Sequence, residues 1–290
     1  MNHLDGSLSS ADGTEIYWQS WQCPEPVACV LVSHGLGEHG GRYAPIAERL
    51  VQQGCNVFAI DHRGHGKSGG RRGLIDHFTR CIDDVDLLVE QQLIPAGRPV
   101  IVFGHSMGGA IATAYAIKHQ QKLAALMLSG AALSADLVPG PMKLICAGLG
   151  KLAPRLPVLK IDPSAVSRDP EQVALYANDP LNLSGHVPVR TIAEMVATIA
   201  GLPSRFPQLR LPMLVMHGSD DQLIPASASE YLFEHCGSED KTLKIYDGLY
   251  HEILNELPDD REQVMDDILE WVSARFPEGA LPAGTLPEGT

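Results

Sequence analysis

A short apolar run, Pro99-Val100-Ile101-Val102-Phe103, stops at Gly104-His105-Ser106-Met107-Gly108-Gly109, and Ala110-Ile111-Ala112-Thr113-Ala114-Tyr115-Ala116-Ile117 follows at once. This reads as strand, sharp turn and helix. The G-x-S-x-G spacing sets small residues on both sides of a serine, as a strained backbone and a close strand-to-helix approach require. Such a turn lifts the serine hydroxyl above the sheet edge and turns the free N–H groups of the new helix toward any anion formed there. Alone, the pentapeptide also fits an ordinary glycine-rich turn. The flanking strand and helix select the nucleophile turn instead.

The rest of the chain repeats that rhythm. Two alternating segments meet at Asp12-Gly13, a hairpin signal that opens the sheet antiparallel. Val27 to Val32 is apolar throughout, as a strand buried on both faces should be, and runs into His34-Gly35-Leu36-Gly37-Glu38-His39. A helix over Tyr43 to Gln53 stops at Gly54, and a strand over Asn56 to Ile60 enters the loop Asp61 to Ser68. A helix is expected over Asp76 to Leu93, with Asp83, Asp84 and Asp86 as a solvated face. Ala124 to Ser129 is another buried strand. Beyond Ser129 the alternation gives way to a proline-punctuated stretch of short helical pieces without a clear strand. It resumes with strands at Pro212 to Gly218 and Thr242 to Tyr246, and helices at Ser227 to Cys236 and Asp259 to Phe276.

Strands alternating with helices imply an α/β chain: a mostly parallel central sheet with helices on both faces and ligands at the carboxyl ends of the strands. The expected organisation is a core over residues 1–133, a helical cap insertion over 134–207, the second part of the core over 208–276 and a flexible tail over 277–290.

A net charge of −13 lacks the basic face that nucleic acid requires, and points to a neutral or zwitterionic small molecule. The six cysteines are scattered without a C-x-x-C pair, and several lie inside apolar runs, which fits a reduced compartment. Met1 to Ser10 has neither a basic nor an apolar leader region, and no run of 18 apolar residues occurs. The chain therefore reads as cytoplasmic.

A serine hydroxyl becomes a useful nucleophile when a base takes its proton and a third group holds that base. In this topology the chain order is serine, acid, histidine. His217-Gly218-Ser219-Asp220-Asp221 follows one strand and offers the acid; Asp247-Gly248-Leu249-Tyr250-His251 follows the last strand and offers the base. His62 and His65 beside Asp61 lack a third partner of metal-ligand spacing, so no metal is assigned. Gly66-Lys67-Ser68 lacks the preceding glycine of a phosphate loop.

The chain resembles the α/β-hydrolases, and within them the monoacylglycerol lipase and lysophospholipase group of serine hydrolases. The matching pieces are His34 to His39 with Arg42-Tyr43, Asp61 to Ser68, Gly104 to Gly109, Ser167-Arg168 with Asn178-Asp179-Pro180-Leu181, and Lys241 to His251. They span roughly residues 11 to 275. The resemblance implies Ser106 as nucleophile, Asp221 as acid and His251 as base, with the backbone N–H groups of Leu36 and Met107 as the oxyanion hole. It implies no cofactor. Where mammalian relatives carry a second histidine three positions beyond the catalytic one, this chain has Leu254.

The implied activity is that of a carboxylic ester hydrolase on single-chain lipid esters, monoacylglycerol first. Lysophospholipids and short- or medium-chain esters are the alternatives, and a non-catalytic binding protein of the same fold is the alternative of another class. Glu38 and Arg42 either pair with each other or touch the polar head of a substrate. The apolar segments Met142 to Leu152, with Ile145 and Leu149, and Ile192 to Leu202 either close a small core or line an acyl tunnel and touch lipid aggregates or a membrane surface. Nothing in the sequence sets the oligomeric state.

Overall fold

The structure is a computed structural model, and it describes residues 1–134 and 140–277, without the side chains of 140–142. Most of the predicted tail therefore lies outside the described residues. β1 (Asn2–Ser9) and β2 (Glu15–Gln22) pair antiparallel across the Asp12-Gly13 turn. β3 (Ala28–Ser33), α1 (Ala44–Gln52), β4 (Cys55–Ile60), α2 (Phe78–Leu88), β5 (Val100–His105), α3 (Met107–His119) and β6 (Ala125–Ser129) follow. After the intervening segment come β9 (Met213–Gly218), α7 (Ser227–His235), β10 (Lys241–Tyr246) and α8 (Pro258–Arg275). Among the described residues eight strands form one sheet in the order β1-β2-β4-β3-β5-β6-β9-β10, parallel from β4 onward.

The alternation of side chains along a strand divides the core in two. Cys29 and Leu31 of β3, with Val100 and Val102 of β5, face α2, α3 and α7. Val30 and Val32, with Ile101 and Phe103, face α1 and α8. Every residue of β3, β4 and β5 is buried, which is why these strands read as continuous apolar runs. The central strands thus end together at one sheet edge.

Between β6 and β9 the chain forms α4 (Gly140–Leu152), β7 (Pro157–Leu159), α5 (Pro170–Asn178), β8 (Val187–Pro188) and α6 (Val189–Ala200). β7 and β8 pair antiparallel, where no strand was expected. Both are two or three residues long and contain proline, too short for a period-2 pattern to register. Cys146 of α4 packs on Ile192 and Val196 of α6, while Leu144, Ile145 and Leu152 face outward at 77%, 52% and 85% exposure.

The acidic cluster on α2 is not a uniformly solvated face. Asp83 is exposed beside Lys118, but Asp84 is buried and takes both Nε and Nη2 of Arg63 at 2.8 and 2.9 Å. Ser10 Oγ also donates to Asp84, and Asp12 accepts from Arg63, so this pair ties the N-terminal hairpin and the loop after β4 to α2. Asp86 accepts from Lys122 and Tyr115.

Candidate active site

Ser106 stands between β5 and α3 at φ 52° and ψ −120°, the positive-φ non-glycine residue among those described. Such a conformation costs about 1–3 kcal/mol and persists where the surroundings impose it. Here the Ser106 N–H donates to Ser129 O at 3.1 Å, and the Ser106 carbonyl accepts from Gly109 and Ala132 at 2.9 and 3.0 Å. A Cβ on Gly108 would collide with the carbonyls of Ser33 and His34, and one on Gly35 would lie 3.2 Å from Ser106 Cβ. Glycine at both places lets the start of α3 and the loop after β3 close around the serine.

His251 and Asp221 reach the same edge from the loops after β10 and β9. His251 Nδ1 lies 2.6 Å from Asp221 Oδ2. The carboxylate requires the proton on Nδ1 and leaves Nε2 with the lone pair a general base needs. Asp221 Oδ1 accepts the backbone N–H groups of Leu223 and Ile224 at 2.8 and 2.9 Å. Burial opposes the charge on Asp221, but the hydrogen bonds from His217 and His251 outweigh it and hold the carboxyl well below the usual carboxylate range. Asp220 points elsewhere: it is exposed and accepts from Ser219 Oγ at 3.0 Å.

Ser106 and His251 open onto a cavity of about 360 Å³, and Leu36 and Met107 border it beside the serine. Its apolar wall comes from Ile192, Met195, Val196 and Ile199 of α6, with Leu223 and Ile224 opposite. Ile145 and Leu149 are not among the described residues that line it, which corrects the acyl-tunnel expectation for them. Ile145 faces outward, and Leu149 is half-buried against α6, which stands between α4 and the cavity.

The polar end is built from Glu38 and Glu252, both buried. Glu38 Oε1 accepts from Gly35 N–H at 2.6 Å and Tyr43 OH at 2.8 Å. Arg42 donates to Glu38 Oε2 at 2.7 Å and holds both oxygens of Glu252 at 2.7 Å. Burial opposes charge on both carboxylates, and the Arg42 guanidinium between them holds each below its ordinary value. Arg42 is therefore spent on the two glutamates and lies behind the cavity wall, outside its described lining, whereas Glu38 lines it. The ion pair anticipated for Glu38 and Arg42 forms, with Glu252 as its unforeseen third member.

Buried neutral histidines surround this framework. His34 donates from Nδ1 to Gly35 O at 2.7 Å and accepts the His62 N–H on Nε2 at 2.9 Å. His62 Nε2 meets Ser33 Oγ at 2.8 Å. The His105 ring is 4.7 Å from that of His251, and its Nδ1 donates to Ser129 O at 3.0 Å. Burial is the main cause that lowers His34 to about 3 and His105 to about 4, from 6.5, and that holds His62 well below it. A histidine with a depressed folded pKa binds fewer protons folded than unfolded, so its stabilisation is whole above about 6.5 and falls as pH drops toward the folded value. By pH 4.5 His34 and His105 together should remove on the order of a few kcal/mol, a large share of the net stability of many domains. Urea unfolding should show a midpoint that falls steeply from pH 6.5 to 4.5, and a flat midpoint across that window contradicts the neutral-histidine framework.

Residues 24–258 match the family model described as Hydrolase_4, serine aminopeptidase S33. The monoacylglycerol lipase of Mycolicibacterium smegmatis is 39% identical over 92% of this chain and 95% of its own length. Human monoglyceride lipase is 36% identical over 92% of this chain and 90% of its own. The crystal structure of Paleococcus ferrophilus monoacylglycerol lipase, 31% identical, superposes with a TM-score of 0.82 over 90% of this chain and 99% of that one. With a parallel sheet, a serine on a strained strand-to-helix turn, and this similarity along nearly its whole length, the chain belongs to the α/β-hydrolase family of serine hydrolases that includes the monoacylglycerol lipases.

Proposed function

We propose that the chain hydrolyses monoacylglycerol to fatty acid and glycerol through an acyl-enzyme on Ser106. His251 takes the Ser106 proton as the hydroxyl attacks the ester carbonyl, and returns it to the leaving alcohol. Asp221 fixes the imidazole tautomer and stabilises the imidazolium. The N–H groups of Leu36 and Met107 receive the oxyanion, one from the residue after the nucleophile and one from the loop after β3. Water then enters as the second nucleophile and frees the acid. Ser106, His251 and Asp221 form the triad in this reading, and residues 134–207 act as the cap.

The observation that carries the substrate choice is the asymmetry of the cavity. Its wall along α6 is apolar and suits an acyl chain, while Glu38, Glu252 and Asp162 against Lys160 make the ionisable lining acidic. Carboxylates accept hydrogen bonds from glycerol hydroxyls and repel the phosphate of a lysophospholipid. The outward apolar side chains of α4, Leu144, Ile145 and Leu152, are the surface that would meet a lipid aggregate. No helix among the described residues is long and apolar enough to cross a membrane.

Hydrolysis rates across monoacylglycerols, lysophosphatidylcholines and nitrophenyl esters of graded length test the reading. Monoacylglycerols should give the highest kcat/KM, and faster turnover of lysophospholipids contradicts it. Val196→Trp, which overfills the apolar wall, should lower kcat/KM for dodecanoate esters at least tenfold more than for acetate esters, and Ile145→Trp should treat both alike. Equal losses in Val196→Trp would place the acyl chain elsewhere.

A further inference from the structure

His217 is the next-to-last residue of β9, is wholly buried, and is not itself one of the three triad residues. Its Nε2 lies 3.0 Å from Asp221 Oδ2 and 3.0 Å from Ile224 O, while Nδ1 lies 2.7 Å from Ser229 Oγ. Two acceptors facing Nε2 require the proton there, so Nδ1 carries the lone pair and accepts from the Ser229 hydroxyl. The oxygen that His217 reaches is Oδ2, the same atom that takes the His251 Nδ1 proton. Asp221 is thus held by four donors: two backbone N–H groups on Oδ1 and two imidazoles on Oδ2.

We propose that His217 is a positioning residue for ester hydrolysis, which fixes Asp221 Oδ2 in line with His251 and is itself fixed by Ser229 of α7. This rests on the reading of Asp221 as the triad acid. The physical reason is geometric. The carboxylate turns as one plane about its bond to Cβ, and His217 adds to the Oδ1 donors a buried donor on Oδ2 that narrows this rotation whether or not His251 is in place. A charge-assisted bond in a site closed to water keeps nearly its full strength. The chain Ser229, His217, Asp221, His251 then runs from a core helix to the base, so α7 contributes to the site without touching substrate.

Two amides separate this role from packing. Glutamine places its side-chain nitrogen where Nε2 stands and asparagine places its own where Nδ1 stands, so only His217→Gln can donate to Asp221. With active sites counted by fluorophosphonate titration, His217→Asn should lower kcat by about 10- to 100-fold at unchanged KM, and His217→Gln should stay within about fivefold of wild type. The far-downfield proton resonance of His251 Nδ1–H should move in His217→Asn and hold its place in His217→Gln. Equal kcat losses in the two variants, or an unmoved resonance in His217→Asn, overturn the proposal. Asp221→Asn is measured beside them. A large loss there with an undiminished His217→Asn overturns the role of His217 alone, whereas a wild-type rate in Asp221→Asn removes the acid assignment and the proposal with it.

Discussion

Ser106→Ala should lower kcat/KM for ester hydrolysis by about 10⁴-fold or more, with unfolding little changed. The substitution deletes one oxygen and leaves the Cβ, the backbone at φ 52° and the backbone hydrogen bonds that impose it. What survives is substrate binding and the oxyanion donors, which alone give a small residual rate. Steady-state rates on a monoacylglycerol, with thermal unfolding of the same samples, check both halves. A variant that keeps a tenth of the wild-type rate would mean that another group attacks the ester.

The second large effect divides two neighbouring aspartates. Asp221→Asn should lower kcat by about 10³- to 10⁴-fold, because an amide in place of Oδ2 can present a donor to His251 Nδ1 and select the wrong tautomer. Asp220→Asn should stay within about tenfold of wild type. The geometry behind this is local. After β9 the chain turns so that the Asp221 side chain is fully buried 2.6 Å from His251 Nδ1, while Asp220 faces out and caps only Ser219 Oγ. Inverse results for the two variants would move the acid by one residue, and moderate losses in both would show that each can serve.

Much of this was legible in the sequence because the signals were local. The apolar strand before Gly104, the small residues around Ser106 and the order of serine, aspartate and histidine loops each depend on neighbours within a few positions. They pointed to the fold and to one strand edge carrying Ser106, His251 and an acid at Asp220 or Asp221, and the resemblance to the family selected Asp221. The face of α4 was not legible, because α4 and α6 are both apolar and periodicity does not say which of two stripes meets a cavity. Tertiary packing decided it, with Cys146 turned inward and Ile145 outward. Asp84 reads as solvated because its partner Arg63 stands 21 residues upstream. Glu252 was hidden for the same reason, since the Arg42 that neutralises it lies 210 residues away. His217 left one faint trace: a polar ring next to the last residue of an otherwise apolar strand, which must find partners if it is buried.

The central claim is that an ester-cleaving acyl-enzyme forms on Ser106, and covalent labelling tests it with the fewest intermediate steps. A fluorophosphonate reacts only with a serine whose proton is withdrawn and whose oxyanion is received, so it reports the whole constellation at once. The protein is titrated with the reagent, residual monoacylglycerol hydrolysis is followed, and the adduct is located by peptide mass spectrometry. One adduct per chain on Ser106, formed in proportion to the lost activity, is the predicted result. Complete inactivation with the adduct on another residue, or full labelling of Ser106 with activity retained, would contradict the claim.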